Sequence, residues 1–156
     1  MKNYQWLMMA LFIFMLPSCK DAYSEHQDVT GIVTWKAGEK HTYKVVMETI
    51  EPNYDMAINL RHTPKVEVDN FNIMMKQTAP DGTTETKEYT LPMRKPNSNE
   101  MLGGCSGDFC DTETVIMENF KFPAKGTYTY EITSKNKEDI GGMLEIGLVI
   151  KEIKKK

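Results

Sequence analysis

Regular alternation of apolar and polar residues is the feature that most constrains the fold of this chain. Runs of this kind recur at residues 43–49, 54–61, 71–76, 128–133 and 144–151. A period of two residues places apolar side chains on one face of a strand, whereas an amphipathic helix needs a period of 3.6. Each run therefore predicts a half-buried strand with one face on a core.

Turn-forming residues separate these runs. Pro80-Asp81-Gly82 lies between two strand-like segments, where proline pre-sets one dihedral angle and glycine allows a positive φ. This predicts a hairpin that pairs residues 70–78 with residues 85–92. Glu51-Pro52-Asn53 and Lys125-Gly126 predict further turns.

The spacing of the runs indicates the fold class. About seven or eight short strands at intervals near ten residues, with a short first strand at Ile32 to Trp35, predict an all-β fold: a single antiparallel β-sandwich, Ig-like or jelly-roll-like, over residues 28–153. No segment has a persuasive helical period, and no internal repeat or second domain is visible. Residues 92–107 are rich in proline, asparagine and glycine, which predicts a long surface loop.

The first nineteen residues have the order of a secretory signal. Lys2 precedes an unbroken apolar run from Trp6 to Leu16, which is followed by Pro17, Ser18 and Cys19. A run this short falls below the roughly 20 residues that a membrane-spanning helix needs. The small Ser18 directly before a cysteine predicts a bacterial lipoprotein signal peptide over residues 1–18. The alternatives are an ordinary secretory signal and a core helix with a chance cysteine.

A lipoprotein signal makes Cys19 the site of lipid attachment. The mature protein would then begin at Cys19 and associate with a membrane through acyl chains, each buried methylene contributing about 0.8 kcal/mol. The polar, pattern-free residues 19–27 predict a flexible tether between the lipid and the domain. The predicted location is the cell envelope, most simply the outer membrane, with the periplasmic or surface face left open.

The other two cysteines lie close together in a glycine-rich segment. Cys105 and Cys110 have the spacing C-x4-C, with Gly103, Gly104 and Gly107 nearby. Outside the cytoplasm such a pair most simply forms a disulfide, which would close a loop of six residues and contribute about 2 kcal/mol in the chain-entropy model. Free thiols and a metal site are the alternatives, although zinc would need about four ligands.

The sequence contains no recognisable catalytic constellation. His26, His41 and His62 are scattered, and each is interpreted as a surface residue. The nucleophile-elbow and zinc-protease motifs do not occur, so no catalytic residue, cofactor or metal site is predicted. The net charge is −3, which gives no reason to expect nucleic-acid binding, since that typically requires a basic stripe on the surface.

Aromatic residues fall into two groups. Tyr128 and Tyr130 are in phase with Ile132 and are interpreted as core. Phe109 lies between the two loop cysteines, next to Asp108, where burial is hard to arrange. Because aromatic residues are enriched at binding hot spots, Phe109 and Asp108 form the candidate partner-binding loop.

Motifs along the whole domain resemble those of the gliding-motility lipoprotein family GldH of Bacteroidetes. They are, in chain order, Tyr23, Trp35, Asn59-Leu60-Arg61, Asp69-Asn70-Phe71, Pro80-Asp81-Gly82, Gly103-Gly104, Gly107-Asp108, Phe122-Pro123, Gly126, Tyr128, Leu144, Ile146-Gly147-Leu148 and Ile150-Lys151. Cys105 and Cys110 depart from the family pattern, in which this loop is rich in glycine and lacks a cysteine pair.

The resemblance implies a role in gliding machinery or in the type IX secretion apparatus, and it supplies no catalytic motif. The leading hypothesis is therefore a non-enzymatic outer-membrane lipoprotein that acts as a structural or assembly component through contacts with other envelope proteins. One alternative is a surface glycan-binding lipoprotein, which would need exposed aromatics such as Trp35 and Phe109 on one face. A weaker alternative is an enzyme acting on polysaccharide or peptidoglycan.

Overall fold

A computed structural model describes residues 21–153 of the chain. The predicted signal peptide over residues 1–18 and the predicted lipid-attachment residue Cys19 lie outside the described residues, as do residues 154–156. Within the described range there is no helix long and apolar enough to cross a membrane.

The described residues form an all-β domain. Its strands are β1 (Asp21–Asp28), β2 (Thr34–Trp35), β3 (Lys40–Met47), β4 (Asn53–His62), β5 (Asn70–Thr78), β6 (Thr84–Pro92), β7 (Gly104–Ser106), β8 (Phe109–Phe120), β9 (Gly126–Ser134), β10 (Ile140–Gly141) and β11 (Met143–Ile153). Eight of them have eight or more residues, in agreement with the predicted number. The predicted hairpin is present as β5 and β6, joined by the turn at Pro80-Asp81-Gly82.

The strands build two packed antiparallel sheets. The first sheet has the order β1-β11-β4-β8-β7, the second has the order β3-β9-β5-β6, and β2 pairs with β10 in a small ribbon. The pairs β1/β11, β3/β9, β4/β8 and β5/β6 nest inside one another like one long hairpin that has been rolled up. This nesting of eight long strands is the jelly-roll form of the β-sandwich.

The predicted alternation lines the space between the sheets. Along β3 every second residue is buried and the residues between them are exposed, as a strand with one solvated face requires. Tyr128 and Tyr130 on β9 are fully buried, as predicted. Central strand β11 departs from the alternation, because the residues from Ile146 to Ile150 are all buried.

The sandwich has two ends, which we name by the course of β1. At the proximal end lie Asp21, which begins β1, Ile153, which ends β11, and three connections (residues 48–52, 79–83 and 121–125). The distal end carries the connections formed by residues 29–39, 63–69, 93–103, 107–108 and 135–139.

The prediction of a flexible tether over residues 19–27 is wrong for residues 21–27. These residues belong to β1, which pairs with β11 from Asp21 onward. The sequence of β1 shows no alternation of apolar and polar residues, because β1 is an edge strand in which only Tyr23 and Gln27 are partly buried. Backbone pairing with β11 holds it in place, and Tyr23 is its one hydrophobic side chain packed against the core.

The predicted first strand at Ile32 to Trp35 is also corrected. Only Thr34 and Trp35 are in a strand, while Ile32 lies in a turn with 95% of its surface exposed. Val33 has a φ of 51°, which is rare for a β-branched residue. Its carbonyl accepts a hydrogen bond from Gly142 N at 2.9 Å, which ties the turn to the distal end.

Candidate functional site

A disulfide-closed hairpin lies at the distal end of the first sheet. Strands β7 and β8 are joined by Gly107 and Asp108, and Gly107 has a positive φ of 62°, which glycine adopts at little cost. Cys105 and Cys110 lie directly opposite each other and are joined by a disulfide, with their Cα atoms 3.9 Å apart. We call residues 104–111 the disulfide hairpin.

The two residues of the predicted partner-binding loop lie on this hairpin. Asp108 is exposed in its turn. Phe109 begins β8 with 48% of its surface exposed, while the next residue, Cys110, is fully buried. Because successive side chains of a strand point to opposite faces, the buried Cys110 fixes the outward direction of the Phe109 ring.

A buried polar chain supports the base of the hairpin. His62 pairs with Cys110 across the β4–β8 ladder and is fully buried. Its Nδ1 donates to the Thr63 carbonyl at 2.9 Å, and its Nε2 lies 3.1 Å from the hydroxyl of Thr112. That hydroxyl is also 2.8 Å from the Leu102 carbonyl. The chain therefore connects β4, β8 and the 93–103 connection.

The interpretation of His62 as a surface residue is therefore wrong. Burial lowers the pKa of its imidazole, and the hydrogen bond to the Thr63 carbonyl offsets only part of this effect. The sequence carried no local signal for the burial, because Thr112 lies 50 positions away along the chain.

Residues 93–103, predicted as part of a long surface loop, are clamped by Arg94. Its Nε donates to Asp69 Oδ1 at 2.9 Å, and its two terminal nitrogens donate to the carbonyls of Asn99 and Val66 at 3.0 and 3.2 Å. An open polar cavity of about 600 Å³ adjoins this clamp. Since the guanidinium already has three oxygen partners, its main effect is to order the connection.

A second buried polar network lies at the distal end, around Glu39. Its carboxylate accepts hydrogen bonds from the backbone N–H groups of Thr30 and Lys36 at 2.6 and 2.8 Å. His41 Nε2 lies 2.9 Å from the same carboxylate, and His41 Nδ1 lies 3.2 Å from Gln27 Oε1. The network therefore joins β1, the segment around β2, and β3.

His41 was also interpreted as a surface residue, which is wrong, because both His41 and Glu39 are buried. Burial lowers the pKa of His41, and the nearby Glu39 charge partly opposes the shift. For Glu39, burial pushes the pKa upward. The backbone hydrogen bonds and the His41 charge outweigh burial, so that the pKa falls below its ordinary value.

Exposed or partly exposed carboxylates on the first sheet are paired with cations. Arg61 bridges Asp111 at 2.8 Å and Glu145 at 3.1 Å, and Lys151 binds Glu113 at 2.7 Å. The hydrogen bond from Arg61 lowers the pKa of Asp111. Among residues 21–153, no group of three histidine, cysteine or acidic residues is placed to hold a metal ion.

The aromatic platform required by the glycan-binding alternative is not formed by Trp35 and Phe109. Trp35 is fully buried. Its ring lies 4.6 Å from that of His41 and 5.0 Å from that of Phe71. Trp35 therefore belongs to the core and offers no face to a sugar.

Several solved structures are similar to the chain at low identity. A family GH115 4-O-methyl-alpha-glucuronidase with specificity for decorated arabinogalactans is 11% identical, with a TM-score of 0.44, over 86% of this chain and 18% of that one. A tailspike protein of bacteriophage CBA120 is 7% identical, with a TM-score of 0.36, over 83% and 18%. Eiger TNF from S. frugiperda is 9% identical, with a TM-score of 0.35, over 85% and 93%. The chain thus spans less than a fifth of the first two.

A family profile matches nearly the whole described domain. The profile described as GldH lipoprotein covers residues 21–150, from the first residue of β1 to the end of the core part of β11. No curated protein matches the chain. The matched range contains both sheets, the disulfide hairpin and the two buried polar networks, and the chain belongs to the GldH lipoprotein family, a family of lipoproteins associated with gliding motility.

Proposed function

We propose that this protein is a non-enzymatic lipoprotein of the outer membrane that serves as a structural or assembly component of gliding or type IX secretion machinery. The observation that carries the proposal is the disulfide hairpin, which holds Phe109 and Asp108 in solvent at the distal end. Its partner would be another protein of the cell envelope.

The construction of the hairpin suits a contact surface. The disulfide closes its tip, and the chain of His62, Thr112 and Leu102 holds its base. A surface that is ordered before binding loses less conformational entropy when a partner docks. An exposed aromatic ring beside a charged residue combines apolar contact area with a polar rim, as binding hot spots do.

Lipid attachment at Cys19 would supply the membrane anchor that the proposed assembly role requires. The family is one of lipid-anchored envelope proteins, and acylation would hold the domain at a membrane while the hairpin contacts its partner. Replacement of Cys19 by alanine should abolish incorporation of labelled palmitate and release the domain from the membrane fraction.

The assembly role is tested in a deletion strain complemented with variants. The deletion should impair surface spreading or type IX secretion, and the wild-type gene should restore it. Phe109→Ala should reduce both complementation and the recovery of the envelope partner that co-purifies with the wild-type protein. Met74→Ala is the matched control, because Met74 is similarly exposed, at 41%, on the second sheet. Normal spreading and secretion in the deletion strain would refute the proposal.

A further inference from the structure

We infer that the domain stands upright on its membrane, with the proximal end against the lipid headgroups and the distal end pointing away from them. The inference rests on the proposed lipid attachment at Cys19. It adds an interaction surface, the proximal end, and assigns a lipid bilayer as its partner.

The first step is the covalent reach between lipid and fold. Asp21 is only two positions after Cys19. Two residues span at most about 7 Å even when fully extended. Whatever conformation these residues adopt, the acylated cysteine therefore stays next to the beginning of β1.

The second step is that the beginning of β1 is part of the folded domain. Asp21 pairs with Lys151, and after a bulge Tyr23 pairs with Ile150 of β11. The Tyr23 ring packs against the core, and its hydroxyl donates to Glu25 at 2.6 Å. A lipid anchor at Cys19 would thus connect to a β-sheet almost directly, without a long flexible tether.

The third step is the direction in which the strands leave this point. β1 runs from the proximal to the distal end, and its eight residues span about 25 Å at roughly 3.3 Å each. The nine residues of β9 run the same way and span about 30 Å. The disulfide hairpin therefore lies about one strand length above the lipid.

Among residues 21–153, charge at the proximal end does not supply a competing attraction. Exposed acids and bases are mixed there, with Glu48, Glu51 and Glu152 beside Lys121 and Lys125. The covalent attachment is therefore the cause of the orientation, and the orientation should be independent of salt.

Two matched lysines measure the orientation. Lys125 is exposed at the proximal end just before β9, and Lys137 is exposed at the distal end just after it. Lys125→Cys and Lys137→Cys would each carry a fluorescent donor, with the Cys105–Cys110 disulfide kept oxidised. The acylated protein is placed in phosphatidylcholine vesicles that contain a headgroup acceptor dye.

Energy transfer to the acceptor should be several-fold greater from position 125 than from position 137, because about 30 Å separates them along the strand direction. Equal transfer would mean that the domain lies on its side, and greater transfer from position 137 would mean that it is inverted. Either result overturns the inference. A difference that disappears at high salt would also overturn it, because attraction rather than attachment would then set the orientation.

A linker insertion tests whether the short connection between Cys19 and β1 causes the orientation. A flexible glycine-serine segment of about 20 residues between Lys20 and Asp21, with a root-mean-square length near 25 Å, should bring the two transfer values close together. An undiminished difference would contradict the role of the short connection. Mass spectrometry of the same samples distinguishes the two proposals. If Cys19 carries no acyl chains, the proposed lipid attachment is refuted. If Cys19 is acylated but the two positions give equal energy transfer, only the proposed orientation is refuted.

Discussion

At the proximal end the sandwich is closed by an aromatic cluster, whereas at the distal end buried polar side chains lie beside apolar ones such as Trp35 and Phe71. Tyr54, Phe120, Phe122 and Tyr128 form the aromatic cluster, with neighbouring ring centroids 4.8 to 6.3 Å apart. At the distal end, the Glu39–His41 pair and the His62–Thr112 pair are the buried polar contacts.

The different side chains at the two ends follow from the connections that each end contains. Short turns at the proximal end leave an apolar opening that aromatic rings fill through tilted and edge-to-face contacts. Three of the connections at the distal end are longer, and buried side chains there bond to backbone groups of these connections, namely Thr30 N, Lys36 N and the Leu102 carbonyl. Buried networks of this kind fix one arrangement of the loops only while every member is satisfied.

The largest expected effect is the loss of an aromatic ring at the proximal end. Phe122 is 3% exposed and contacts three other rings. Phe122→Ala should lower the free energy of unfolding by about 3–5 kcal/mol, measured by urea denaturation. Phe109→Ala on the exposed hairpin is the matched control and should cost less than about 1 kcal/mol. Similar losses in both variants would contradict the assignment of Phe122 to the core and Phe109 to the surface.

The next effect concerns the buried carboxylate at the distal end. Thr30 N donates to one carboxylate oxygen of Glu39 and Lys36 N to the other. Glu39→Gln replaces one of these oxygens with an NH2 group that faces an N–H donor, and it should cost about 2–3 kcal/mol of unfolding free energy. Glu138→Gln, at an exposed position of the distal end, should be neutral. If both changes proved neutral under denaturation, the Glu39 network would not be what closes this end.

Reduction of the disulfide should have a somewhat smaller effect. The bond closes a six-residue loop, so the Cys105→Ser/Cys110→Ser variant should lose about 2 kcal/mol of unfolding free energy. Because the hairpin lies outside the aromatic cluster, the fold should persist, as judged by circular dichroism. Complete unfolding of the variant would show that the hairpin is needed for the core as well as for the distal surface.

The smallest effect for a single residue is a dependence of stability on pH. Burial lowers the pKa of His41 and His62 below the ordinary 6.5, so the unfolded chain takes up protons first as the pH falls. Stability should be constant above pH 6.5 and fall below it, by at most about 1.4 kcal/mol per pH unit for each histidine. Urea titrations between pH 7.5 and 5.5 measure this slope. His62→Gln should reduce the slope relative to the matched change of the exposed His26, and an unchanged slope would argue against a buried neutral His62.

Local patterns predicted those parts of the fold that local interactions determine. The hairpin of β5 and β6 follows from Pro80-Asp81-Gly82, and the core positions of β3 and β9 follow from their alternation. The strand character of residues 21–28 was not predictable in this way, because an edge strand with a single core-facing aromatic, Tyr23, carries no apolar period. The burial of His41 and His62 was missed because their partners come from other strands, and Ile32 and Val33 resemble a strand although they form a turn.

The central claim is that the partner binds at the distal end and not at the proximal end. It is tested most directly by crosslinking in living cells from two matched turn positions. Asp108 and Asp81 are both exposed aspartates beside a glycine at the tip of a hairpin, one at the distal end and one at the proximal end. Each is replaced in turn by a photoreactive amino acid in the complemented strain. The account predicts a crosslink to one envelope protein from position 108 and none to that protein from position 81. A crosslink to the partner from position 81 alone would contradict it.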